Sequence, residues 1–165
     1  MPRLVDLKAA PYNLDDAQIA WVEETLAGMT LDEQVGQLFT NLFFFGTDEF
    51  SGNPYTAEQI LEKFHIGVAR YHGGTSEKVQ DLINRLQAAS KIPLLVAANG
   101  DSGGNGAMSD GTYVASGAQT EASRSTEVAR NAGYVSGREM DAIGANLNFD
   151  PCVDILVNWR NTIVN

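Results

Sequence analysis

Short apolar runs alternate with amphipathic helical stretches along this chain, and that alternation restricts its fold more than any other feature. Apolar runs at Leu38 to Phe45, Ile66 to His72, Leu94 to Ala98 and Ala145 to Phe149 read as strands. Between them lie stretches with helical spacing. Thr30-Leu31-Asp32-Glu33 has the form of a capping box opening a short helix before the first strand. Thr56 and Gln59 cap a helix through Phe64. Ser76 caps a stronger one with Val79, Leu82, Ile83 and Leu86 on one face at i, i+3, i+4 and i+7. A helix over 125–143 turns Val128, Ala132, Val135 and Ile143 inward, and Gly144 stops it. At the N-terminus, Asn13 or Asp15 caps a helix with Ile19, Val22 and Leu26 on one face, ended by Gly28. Strands joined through helices run parallel, so the class is α/β with a parallel sheet.

The strand starts are spaced by 28, 28 and 51 residues. An eight-unit (β/α) barrel averages roughly 31 residues per unit, so the first two spacings suit a TIM-barrel-like domain. The third is long because residues 99–124, rich in Gly, Ser and Thr, read as irregular. A loop longer than about 12–15 residues is usually functional, and such barrels build their sites from the loops after the strands. The expected centre is therefore the C-terminal end of the third strand. About four of eight strands are present, a half-barrel whose two open edges need covering.

Composition narrows the partners. Eleven Lys and Arg against 21 Asp and Glu give a net charge of −10, which disfavours nucleic acid and anionic membranes. Cys152 is the only cysteine, so no internal disulfide forms, and the residue reads as a small packing group. The first eleven residues lack the basic start and apolar run of a signal peptide, and Leu42 to Phe45 is too short to span a bilayer. A cytoplasmic setting is expected. Two isolated histidines and scattered acids lack ligand spacing, so neither a metal nor another cofactor is implied. Gly104-Asn105-Gly106 after a strand invites a dinucleotide reading, but Ser109 stands where the third glycine belongs and no helix opens directly after the loop.

Four motifs in order carry a family resemblance. Met29-Thr30-Leu31-Asp32-Glu33-Gln34-Val35-Gly36-Gln37-Leu38 resembles the opening of family 3 glycoside hydrolases. Ile92-Pro93-Leu94-Leu95-Val96-Ala97-Ala98, followed by Asn99-Gly100-Asp101-Ser102-Gly103-Gly104-Asn105-Gly106, is similar to their third strand and its acidic, double-glycine loop. The run Ala142 to Asp154 resembles their fourth strand, and Asn158-Trp159-Arg160-Asn161 the segment that delivers a sugar-binding arginine. The nearest flavour is the β-N-acetylglucosaminidase-like branch. The resemblance divides the chain into an N-terminal helical lead-in, 1–28, and the first half of a family 3 glycosidase-like TIM barrel, 29–165, incomplete at its C-terminus.

The family implies retaining hydrolysis of terminal β-linked sugars, N-acetylglucosamine or glucose, with two carboxyl groups about 5–5.5 Å apart. Its nucleophile, its acid/base and a sugar-gripping Lys-His segment all follow the fourth strand, and the chain ends at Asn165. None of the present residues is assigned a catalytic role, and the chain alone is expected to be inactive.

What the resemblance leaves here is part of a sugar-binding floor. Arg160 would hold two vicinal hydroxyls with its forked donors. The family's binding acid falls near Asn99 or Asp101, although Asn occupies the first position and Ser102 is an extra residue before the glycine pair; a loop-capping role is the alternative. Asp154 faces the site, braces Arg160 or caps the following turn. His72, ending the second strand, either touches substrate or is satisfied within the structure. The partner expected is a carbohydrate, with a homodimer or a missing C-terminal half covering the open edges. The competing readings are a fragment of a longer protein and a non-catalytic half-barrel serving as a sugar-binding or structural subunit.

Overall fold

A computed structural model describes residues 5–45, 55–71, 73–155 and 157–160, with 41–45 described through the backbone. Among the described residues eleven elements run in the order α1 (Asp16–Ala27), α2 (Leu31–Gly36), β1 (Thr40–Phe45), α3 (Ala57–Phe64), β2 (Val68–Tyr71), α4 (Ser76–Ala89), β3 (Leu95–Ala98), α5 (Gly104–Ala107), α6 (Gly117–Ala122), α7 (Thr126–Ala142) and β4 (Leu147–Asn148). The strands form one parallel sheet in the order β1-β2-β3-β4. Val68 lies opposite Leu95, Arg70 opposite Ala97, and Ala98 opposite Asn148. Each crossover carries at least one helix, as parallel neighbours require. This is the α/β class with a parallel sheet expected from the alternation; the described residues contain four strands, not a closed ring of eight.

Local chemistry explains most boundaries. Asp15 with Gln18, Thr30 with Glu33, and Thr56 with Gln59 each form a reciprocal capping box, satisfying two orphan N–H groups at each helix start. Glu33 also accepts from the Lys91 ammonium at 2.6 Å. That bond, with those from Thr30, draws its carboxyl down to about 2. Gly144 ends α7 with φ +90°, a left-handed conformation that glycine adopts without strain.

The core lies between the sheet and its helices. Val79, Leu82, Ile83 and Leu86 of α4 are all buried, as their spacing predicts, and cluster with Leu61, Leu94, Val96, Met140 and Ile143. Burial alternates along β2, whereas in β3 Val96, Ala97 and Ala98 are all buried. Ala69 and Tyr71 are buried while Val68 and Arg70 are half-buried, and Val96 is fully buried beside half-exposed Leu95. Alternate residues of β2 thus line the helix layer and the opposite face.

Several expectations are corrected. The first strand begins at Thr40, because the N–H groups of Leu38 and Phe39 turn back to the carbonyls of Val35 and Gly36. Helix α1 buries only Ile19; Val22 is half-buried and Leu26 exposed. Thr75, not Ser76, is the N-cap of α4. Helix α7 buries Ser136, Met140 and then Ile143, while Val128, Ala132 and Val135 are half-buried. Residues 99–124 are not wholly irregular: they hold α5 and α6, the latter started by a Ser116–Gln119 capping box. Cys152 does not pack; it is exposed, with its Sγ 3.7 Å from the Asp154 carboxylate. No helix among the described residues is long and apolar enough to cross a membrane.

Candidate functional site

The C-terminal ends of β2, β3 and β4 bring five side chains together. Arg70 lies on the β2 face opposite buried Ala69 and Tyr71, and its Nη2 donates to the Asn99 side-chain carbonyl at 3.1 Å. Phe149 follows β4, where its N–H donates to the Ala98 carbonyl at 3.1 Å. The Arg70 guanidinium stands 5.6 Å from the centre of that ring. The Gly100 N–H is shared between the Asn148 amide oxygen, at 3.1 Å, and the Asp150 carboxylate. Burial, and secondarily the charge of Asp101, push the Asp150 carboxyl up, while the Gly100 N–H opposes them. Asp101 itself is exposed.

Arg70, Asn99 and Asp101 border a cavity of about 440 Å³, lined also by Tyr71, Asn105 and Ser109. A larger one of about 560 Å³ lies at the opposite ends of the strands, against Val35, Phe39 and Phe64. The smaller is the better candidate: it sits at the functional end of a parallel βα array and gathers polar groups on several sides. The Tyr71 hydroxyl is buried without a hydrogen-bond partner among the described residues; burial pushes the phenol up to about 12, so it stays protonated at ordinary pH.

Two carboxylates pin the long loop over the cavity. Asp110 accepts from the Ser76 N–H at 2.7 Å and from the Ser76 hydroxyl at 2.8 Å, filling part of the N-terminal demand of α4. Those bonds hold its carboxyl below the usual range. Glu139 of α7 accepts from both the N–H and the hydroxyl of Thr112. Close approach requires glycine beneath: a Cβ on Gly104 would lie 1.6 Å from a Glu139 carboxylate oxygen, and one on Gly106 would lie 2.3 Å from the Asn99 carbonyl oxygen.

Of the residues singled out from sequence, Asn99 and Asp101 meet in this cavity. Arg160 does not line it; it is exposed, with its guanidinium 4.8 Å from the Trp159 ring centre. Asp154 is exposed near Cys152 and forms no ion pair with Arg160. His72 lies outside the described residues. Sequence reasoning missed Arg70, Asp150 and two asparagines, Asn146 just before β4 and Asn148 within it. Asn146 accepts from the Val96 N–H at 2.7 Å and donates to the Leu94 carbonyl at 3.2 Å, so its amide tethers β4 to β3. The alternation in Asn146-Leu147-Asn148 was the available signal.

A parallel α/β sheet with polar groups gathered at its strand ends defines the class. Residues 30–165 match the glycosyl hydrolase family 3 N-terminal domain, and the chain belongs to that family. It is 37% identical over 162 residues to a beta-N-acetylglucosaminidase/beta-glucosidase from Cellulomonas fimi, across 98% of this chain and 28% of that protein. Beta-glucoside phosphorylase BglX bound to 2FGlc matches with a TM-score of 0.77 and 35% identity, over 88% of this chain and 25% of that one. A glycoside hydrolase family 3 beta-N-acetylglucosaminidase from Paenibacillus sp. str. FPU-7 matches with a TM-score of 0.60 and 25% identity, over 75% and 24%. The chain thus spans about a quarter of the length of these relatives.

Proposed function

We propose that this chain forms the first part of the sugar-binding end of a glycosidase barrel that hydrolyses terminal β-linked N-acetylglucosamine or glucose with retention. The observation that carries the reading is the convergence of Asn99 and Asp101 on one cavity of sugar-accommodating size at the strand ends, with Phe149 beside Arg70 of the same cavity. A carboxylate such as Asp101 accepts two hydroxyl hydrogen bonds, Asn99 can both donate and accept, and the Phe149 ring offers an apolar surface to the C–H face of a pyranose. Arg160 and Asp154, which follow the fourth strand, and His72, which follows the second, are assigned to the same site by their place in the chain. Residues 1–28 are read as a lead-in and 29–165 as barrel. The open edges at β1 and β4 are to be covered by further strands or by a second copy.

The nucleophile and acid/base implied by the family lie on later elements, so these 165 residues are expected to bind sugar and not to turn it over. The test is hydrolysis of aryl β-N-acetylglucosaminide and aryl β-glucoside by the purified chain, with its mass and oligomeric state checked on the same sample. It is run with and without inorganic phosphate, because one structural relative is named a phosphorylase. No turnover, with measurable binding of either sugar weakened about tenfold or more by Asp101→Asn, is the expected result. Robust turnover by the verified chain would overturn the division of labour proposed here.

A further inference from the structure

We propose that Arg70 is a ligand-binding arginine of this cavity, and that the ligand it takes is a polyhydroxylated ring and not an oxyanion. This rests on the sugar-site reading above and adds a residue to it. A guanidinium carries five N–H donors in a rigid fork. In Arg70 one bond goes to Asn99, and no carboxylate lies within ion-pair distance among the described residues. A half-buried cation at the wall of a cavity, with most of its donors not bonded to protein, has N–H groups free to bind a ligand that enters there.

The surroundings select the ligand chemistry. Asp101 borders the same cavity, and Asp150 lies near enough to Asp101 to feel its charge. A sugar hydroxyl can accept from the Arg70 fork while donating its own proton to the Asp101 carboxylate, so one hydroxyl satisfies both walls. A phosphate or carboxylate could accept from Arg70, but its charge would be repelled by Asp101. The Phe149 ring, 5.6 Å from the guanidinium, adds an apolar neighbour beside this cavity. Asn99 matters in the same way. A neutral amide holds the guanidinium in position without neutralising it, whereas an aspartate there would claim the fork for itself.

Titration of the purified chain with methyl β-glucoside and with N-acetylglucosamine tests the assignment, each variant's folding being checked by its thermal melt. Arg70→Met is expected to weaken binding by about tenfold to a hundredfold. Arg70→Lys keeps the charge but loses the fork, and should lose at least about fivefold. Methylguanidinium added to Arg70→Ala should recover part of the affinity, a response that a structural arginine would not give. Arg124→Met, which removes an exposed arginine paired with Glu121, should bind like the parent. Inorganic phosphate should leave sugar binding unchanged. Equal affinity in the parent and Arg70→Met would overturn the role of Arg70 alone. Arg70-dependent phosphate binding that displaces sugar would overturn the polyol assignment. A parent chain that binds neither sugar would remove the sugar-site reading itself, and this inference with it.

Discussion

Leu86→Ala is expected to destabilise the chain by about 2–5 kcal/mol, the usual range for truncating a buried leucine. Leu86 is 1% exposed on the inner face of α4 and belongs to the cluster that joins that helix to β2, β3 and the end of α7. The shortened side chain loses its own burial and leaves a void that neighbours such as Ile83 and Leu94 cannot fill without moving the sheet. A domain of this size has only about 5–15 kcal/mol of total stability. The variant should therefore unfold at much lower urea or lose its cooperative transition. Leu31→Ala, at a position 73% exposed, should shift the midpoint by no more than about 0.5 kcal/mol. Two variants of equal stability would mean that α4 is not the centre of the core.

Gly106→Ala is expected to damage the site more than the fold. The added methyl would sit 2.3 Å from the Asn99 carbonyl oxygen and 3.3 Å from a carboxylate oxygen of Asp101. The nearest obstacle is backbone, so α5 and the end of β3 must separate. Overpacking of this kind costs about 1–3 kcal/mol. Sugar affinity should fall at least tenfold, since one of the displaced groups belongs to each proposed binding residue. Gly117→Ala in the same loop meets nothing within 4 Å. It lies in α6, where alanine is the better helix former by about 0.5–1 kcal/mol, so affinity should be kept and stability should not fall. The pair separates local crowding at the cavity from any general intolerance of the loop to substitution. Retained sugar binding in Gly106→Ala would show that the Asn99–Asp101 corner is not where the ligand lies.

Features encoded over one or two turns were legible in the sequence. The face Val79, Leu82, Ile83 and Leu86 needs only the helical period, and the capping boxes at Thr30 and Thr56 need only a spacing of three. Features closed by distant partners were not. Asp110 supports the start of α4 from 34 residues away, and Asn146 replaces a ladder bond of a strand 50 residues earlier; neither leaves a local pattern. The two short helices of the long loop were hidden by composition, because α5 reads Gly-Asn-Gly-Ala and has little intrinsic helical preference. The Glu139 carboxylate reaches from α7 to Thr112, whose carbonyl accepts from the Asn105 N–H of that helix. Arg70 was overlooked because one charged residue in a short strand looks like a solvent-facing position. Only the convergence of β2, β3 and β4 puts it beside Asn99 and Phe149. Conversely, Cys152 looked like packing because it follows a strand, yet the segment beyond β4 is exposed, with Val153 at 86% and Ile155 at 80%.

Amide chemical-shift mapping of the purified chain during titration with N-acetylglucosamine and methyl β-glucoside tests the central claim most directly. Saturable shifts are expected at Arg70, at 99–106 and at Phe149, with the opposite end of the sheet around Val35, Phe39 and Phe64 unaffected. Shifts confined to that opposite end, or none with either sugar, would contradict the claim that the C-terminal ends of these strands form a sugar-binding floor.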